Sequence, residues 1–329
     1  MRRLVSRGTR ITDAGYSCHN ARQSLRFISL SLGWTLIESL PPIFLSFLSA
    51  VFLAATQTIY RGALQWIGPK AITFVTNLTL VTYASTIYVL GAGLEKWPLV
   101  GIFWFVLAGL CSHFLSRNLN FISATLIGMA RSQIFLQIHP IWSAFLAMFL
   151  FGETINFPIA LGTFAIVLGA ILLVQERGAG GKRAPFLYYL LPILAAFFFS
   201  FAPPLRKLAF QTIPSPAFGI ATTALAGALL QLGSIPFVKN HELNPKTWNR
   251  KSLWLVLIGG LFNIISAYCF WLSIKNGKLI EVIPINRLSI LFLILFSWFF
   301  YQRLERINLR VIAGGLLAVE GAVLIVLGR

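Results

Sequence analysis

Residues 152–174, GETINFPIALGTFAIVLGAILLV, lie in register over residues 304–326, LERINLRVIAGGLLAVEGAVLIV, at a constant offset of 152. Apolar agreement between two such stretches carries little information. The polar and small positions carry more: Glu153 meets Glu305, Asn156 meets Asn308, Gly162 meets Gly314, and Gly169–Ala170 meets Gly321–Ala322. A second correspondence, at offset 146, opens each copy: Arg61 with Lys207, Gln65 with Gln211 and Ile67 with Ile213. The chain reads as two copies of one unit.

Its solvent is lipid. The 329 residues are 57% hydrophobic and only 11% charged, whereas a soluble domain carries roughly 25% charged residues. Mean hydropathy is +0.79. About 20 apolar residues cross a bilayer as a helix, and ten such stretches can be read: 42–61, 69–91, 98–117, 122–150, 157–175, 186–207, 214–237, 252–273, 279–301 and 308–328. Five fall in each copy. Five is odd, so the second copy enters the membrane from the opposite side. Inverted repeats of this kind are a mark of secondary transporters, in which a site between the copies is exposed alternately to the two sides. The expected fold is an all-α membrane protein of ten transmembrane helices in two inverted five-helix repeats. Its expected organisation is a basic tail over 1–40, a first repeat over 41–178 and a second over 184–329.

The tail MRRLVSRGTR has no apolar run directly behind it and so is a poor signal peptide. Residues 25–37, LRFISLSLGWTLI, are apolar but short, and read as an interfacial helix or an extension of the first span. The chain carries 27 Lys and Arg against 9 Asp and Glu. These basic residues are dispersed through short links, where they meet lipid headgroups rather than nucleic acid. They divide almost evenly between alternate links, so the charge rule does not fix the orientation. Cys18, Cys111 and Cys269 stand apart and form no disulfide or metal pattern.

A fourth span around Pro140, then Gly152–Glu153, then a glycine-spaced fifth span resembles the EamA family of the drug/metabolite transporter superfamily. The first copy reads HPIWSAFLAMFLFGETINFPIALGTFAIVLGAILL, and the resemblance runs over about 42–328. The second copy departs from the pattern, with Phe292 at the place of Pro140 and Leu304 at that of Gly152. The resemblance implies ten spans, cytoplasmic termini, and a central cavity lined by the third, fourth, eighth and ninth spans. It leaves the substrate open among amino acids, other metabolites and toxic compounds.

Charges within spans are expensive and therefore informative. Arg131 sits in the fourth span and Arg287 at similar depth in the ninth, at repeat positions one helical turn apart. Inverted symmetry would aim both at the centre, where two guanidinium groups suit a carboxylate or phosphate. Phe135 and His139 share the Arg131 face, and Asn286 adjoins Arg287. His113, Asn263, Tyr268 and Trp271 are the polar or aromatic candidates on the third and eighth spans. Glu320, in LLAVEGAVLIV, and Glu281 are candidate proton carriers, since a desolvated carboxylate can hold a proton. Glu153 and Glu305, at span ends, read as local caps or pairs.

An enzyme is not supported. The sequence has one aspartate, Asp13, four histidines, and no DDxxD, HExxH, Walker or GxSxG motif. No cofactor or metal is expected. The sequence thus points to a secondary transporter of an amino acid or organic anion, with efflux the expected direction. The bacterial inner membrane is its expected place, and lipid and a small-molecule substrate are its partners. Homodimerisation is left open. Phosphorylated or nucleotide-linked metabolites, or drugs, are the alternative cargo. A passive channel or a structural membrane subunit is the alternative class.

Overall fold

The computed structural model describes residues 39–63, 66, 69–91, 96–127, 132, 135–175, 185–233, 249–300 and 309–328. The N-terminal tail with its interfacial segment, Arg131, Glu305 and the polar link over 239–248 lie outside the described residues.

Apolar composition and the scarcity of internal breakers make every described element a helix. In the first copy these are α1 (Pro42–Ala63), α2 (Pro69–Gly91), α3 (Leu99–Gly109), α4 (Arg117–Ile127), α5 (His139–Phe151) and α6 (Phe157–Gln175). In the second they are α7 (Leu190–Phe210), α8 (Pro216–Gly233), α9 (Arg250–Asn276), α10 (Leu279–Asn286), α11 (Ser289–Phe300) and α12 (Leu309–Leu327). Among the described residues seven helices are long and apolar enough to cross a membrane, and three shorter apolar ones cover 139–151, 157–172 and 312–327.

Two of the expected spans are built differently. The third does not stop at Arg117. It runs on through a π-helical segment, Leu110–Ser116, into α4, because a polar run such as RNLN does not break a helix. Of the helix expected over 122–150, the start belongs to α4 and the end to α5, and 128–131 and 133–134 lie outside the described residues. The ninth span is interrupted at Arg287–Leu288. Pro284 cannot donate to the carbonyl one turn back, and beyond it the ladder tightens: Arg287 N donates to Pro284 O at 2.9 Å and Leu288 N to Ile285 O at 3.0 Å. The fourth span has a matching interruption at Gln137–Ile138, where Ile138 N donates to Phe135 O at 3.2 Å. There the proline lies after the break, at Pro140, in a first helical turn that needs no N–H.

The packing has two-fold character. Second helices pair with each other (α2 with α8) and so do fifth helices (α6 with α12), while α1 packs on α9 as α3 packs on α7. Both mated pairs are antiparallel, as inversion requires. Tyr88 meets Phe218 at 5.3 Å, while Gly227, further along α8, faces Asn77, earlier on α2. In the other pair, a Cβ on Gly162 would come within 2.5 Å of Gly321 O, and one on Gly321 within 2.5 Å of Gly162 O. A Cβ on Gly169 would meet Gly314 O at the same distance. The repeated glycines of the sequence are thus the close approach of α6 and α12. Small residues let two backbones touch where lipid offers no hydrophobic drive.

A cationic interior and a latch between the repeats

Three arginines, Arg287, Arg206 and Arg117, stand in the described helices or at their breaks. Arg287 stands at the break between α10 and α11, half-buried, its guanidinium 5.9 Å from the Phe199 ring of α7. His139, at the start of α5, packs edge-on against the same ring at 5.0 Å, and Arg287 is its charged neighbour. Both helix breaks therefore open onto one phenylalanine. Gln137, in the fourth-span break, is buried with Oε1 unpartnered, as is Arg287 Nε.

Arg206 lies seven residues along α7 from Phe199, on the same face. It is 6% exposed and stacks 4.5 Å above Trp271. One of its nitrogens reaches Ser112 Oγ at 3.4 Å, while Nε has no partner. The π-helical segment explains how consecutive side chains serve two neighbours: Ser112 faces Arg206, and His113 Nδ1 meets Asn77 Oδ1 at 3.1 Å. Such segments re-aim side chains within an otherwise regular helix. Arg117, the third arginine, lies beside Tyr60, as does Asn263. Among the described residues, none of the three arginines has a carboxylate within ion-pairing distance.

Ahead of Arg206, Pro203 and Pro204 sit inside α7. Pro204 cannot donate to Ser200 O, and the Ser143 hydroxyl of α5 takes its place at 3.1 Å. The broken ladder is thereby satisfied by another helix.

Next to Arg206 comes a polar latch between the repeats. Glu153 Oε1 accepts from Lys207 Nζ at 2.6 Å and from Leu279 N at 3.1 Å, and Oε2 accepts from Ile280 N at 3.1 Å. Lys207 also donates to Gly277 O at 2.9 Å and lies 5.1 Å from the Phe151 ring. A carboxylate of the first copy thus caps a helix of the second, with favourable sign at the positive end of α10. The expected local role of Glu153 is corrected to one that spans 126 residues of sequence.

The remaining candidates are spread out. Asn286 is buried and donates to Ser49 Oγ at 3.0 Å, in a seam of hydroxyls where Ser49 meets Ser266 at 3.1 Å. Tyr268 packs on the main core, and Phe135 meets Tyr189 at 5.7 Å. Glu281 is buried with Lys278 3.7 Å away. Glu320 is exposed. An apolar groove of about 650 Å³ opens between α1, α11 and α12, lined by residues such as Phe44, Phe47, Leu291 and Val323. It contains none of the arginines.

The EamA-like transporter family model matches residues 40–175 and again 186–327. The chain belongs to the EamA-like transporter family. It is a multi-pass integral membrane protein, and the EamA family, of the drug/metabolite transporter superfamily, is a transporter family and generally not enzymatic. A solved structure described only as "Crystal structure of protein" has the same fold, with a TM-score of 0.73 over 88% of this EamA chain and 97% of its own at 20% identity. No curated protein matches the sequence.

Proposed function

We propose that this EamA protein is a ten-span secondary transporter that carries a small anionic metabolite, an amino acid or organic acid, out across the inner membrane by alternating access. The observation that carries the reading is the trio Arg117, Arg206 and Arg287, set within the helices with no carboxylate to neutralise them among the described residues. A charge in lipid surroundings is costly unless it pairs or serves a pathway. An anionic substrate supplies the missing charge. Arg131 adds a fourth arginine at the sequence level.

In this reading Arg287 binds the substrate carboxylate or phosphate with His139 and Gln137 beside it, and the two interrupted helices supply backbone polar groups at mid-depth, as in other carriers. The contact of Glu153 with Lys207 and the start of α10 closes one end. In this reading the seven long helices and the three shorter apolar ones among the described residues are the ten spans. Thermal unfolding of the purified protein with glutamate, succinate, phosphoenolpyruvate and inorganic phosphate tests the class. An anion at about 100 times its dissociation constant adds roughly 2.7 kcal/mol to the folded state. Stabilisation by anions, together with saturable counterflow in proteoliposomes, supports the reading. Stabilisation only by cationic or apolar compounds would turn it towards drug efflux, and conductance without saturation towards a channel.

A further inference from the structure

We propose that Arg206 is a second anion-binding residue on the path, so that the substrate passes between two guanidinium groups instead of resting at one. This rests on the anionic-substrate reading above and adds a site to it.

The geometry comes first. Phe199, which touches the Arg287 station, and Arg206 are seven residues apart on one face of α7. At 1.5 Å rise per residue that is about 10 Å. The two guanidinium groups are thus set along one face of α7, Arg287 through its contact with Phe199 and Arg206 on the helix itself. The latch of Glu153 with Lys207 follows Arg206 immediately along α7.

The chemistry of the site comes second. Trp271 is held in place by Phe105 at 5.7 Å and Phe210 at 5.9 Å. Its face carries the guanidinium at 4.5 Å. A planar cation stacked on a fixed ring has its donor edge oriented beforehand, so a ligand need not order it. What it lacks is an acceptor. It has one long bond to a hydroxyl, an unpartnered Nε at 6% exposure, and no carboxylate in range among the described residues. An arginine kept only to hold the helices together would carry a carboxylate or several carbonyls. This one is built to receive two oxygens of an anion side by side.

The experiment uses the full-length protein, with glutamate, succinate and inorganic phosphate as probes. Thermal shift and counterflow are measured for wild type, Arg206→Gln, Arg206→Lys, Arg287→Gln and the double Gln variant. The two-station arrangement predicts that each single Gln variant is still stabilised by the anion and transports at least about 100-fold more slowly, and that the double variant shows no anion-dependent shift. Arg206→Lys keeps the charge but not the paired donors, so its melting temperature stays near wild type while KM rises about tenfold. If Arg206→Gln does not fold, Arg206→Lys and Ser112→Ala, which removes the hydroxyl contact, carry the test through KM. Wild-type KM and rate in the Arg206 variants, with anion stabilisation intact, overturns the second station and leaves the anion reading standing. No anion response in wild type overturns that reading itself.

Discussion

Removing the Glu153 carboxylate tests a polar contact between the repeats. Three interactions are lost at once: the 2.6 Å ion pair with Lys207 and the caps on Leu279 N and Ile280 N. Breaking a buried ion pair by deleting one partner costs about 3–5 kcal/mol. The Lys207 side chain is 21% exposed and that of Glu153 is 7% exposed, and Lys207 retains the Gly277 carbonyl, so the lower end applies. Losing the cap adds about 1 kcal/mol. Glu153→Ala should therefore destabilise by about 4 kcal/mol, and Glu153→Gln, which keeps one acceptor for the helix start, by about 3. At roughly 2 °C per kcal/mol for a chain of this size, the melting temperature in detergent falls by about 8 °C and 6 °C. Lys207→Met should cost about 3 kcal/mol, and the double variant should cost less than the two singles together by about 2, since contacting residues are not additive. All variants melting within 1 °C of wild type would show that the contact contributes nothing and that the physical estimate for this site is wrong.

Other consequences are quickly stated. Arg287→Gln should slow counterflow at least about 100-fold while the protein stays folded and inserted; size exclusion and flux in proteoliposomes decide it, and wild-type flux removes Arg287 from the site. Gly162→Val pushes a branched side chain into the Gly321 carbonyl and should lower the melting temperature by several degrees, about 2–3 kcal/mol for overpacking, whereas the same change at Gly91, with open space around it, should be far milder. Ser143→Ala orphans the Ser200 carbonyl and should cost about 1–2 kcal/mol, measured in the same melts. Glu320 is exposed, so Glu320→Gln should leave both exchange and uptake driven by a pH gradient unchanged; loss of the gradient-driven component alone would make this carboxylate the proton carrier.

The repeat was legible because glycines, a glutamate and an asparagine recur at one offset, and the structure shows why the glycines mattered: they are the backbone contact between α6 and α12. Helix interruptions were not legible. Apolar content reports whether a stretch can enter lipid, and says nothing of a ladder tightening after Pro284 or widening between Leu110 and Ser116. The same blindness hid Arg206. Beside Lys207 at the end of an apolar stretch it reads as a headgroup contact, and only the fold turns it inward beneath Trp271. The preceding Pro203–Pro204 pair was the available signal, since two prolines inside a span mark a place where another helix must complete the backbone. Phe199 had none: as the last of three successive phenylalanines it is indistinguishable from packing until His139 and Arg287 are seen on its ring.

Because α6 and α12 touch through each other's backbones, and α2 and α8 meet through facing side chains, the molecule is a dimer carried on one polypeptide. In a true homodimer each change near the axis is imposed on both subunits at once. Joining the copies lifts that restriction. One copy keeps its proline after the helix break and the other before it; Trp271 can serve Arg206 with no duty to serve a twin. What the join cannot relax is the axis itself, where a side chain on either copy strikes the other's carbonyl. Cut between residues 176 and 184 and produced as two polypeptides, the halves should find each other again through those same glycines.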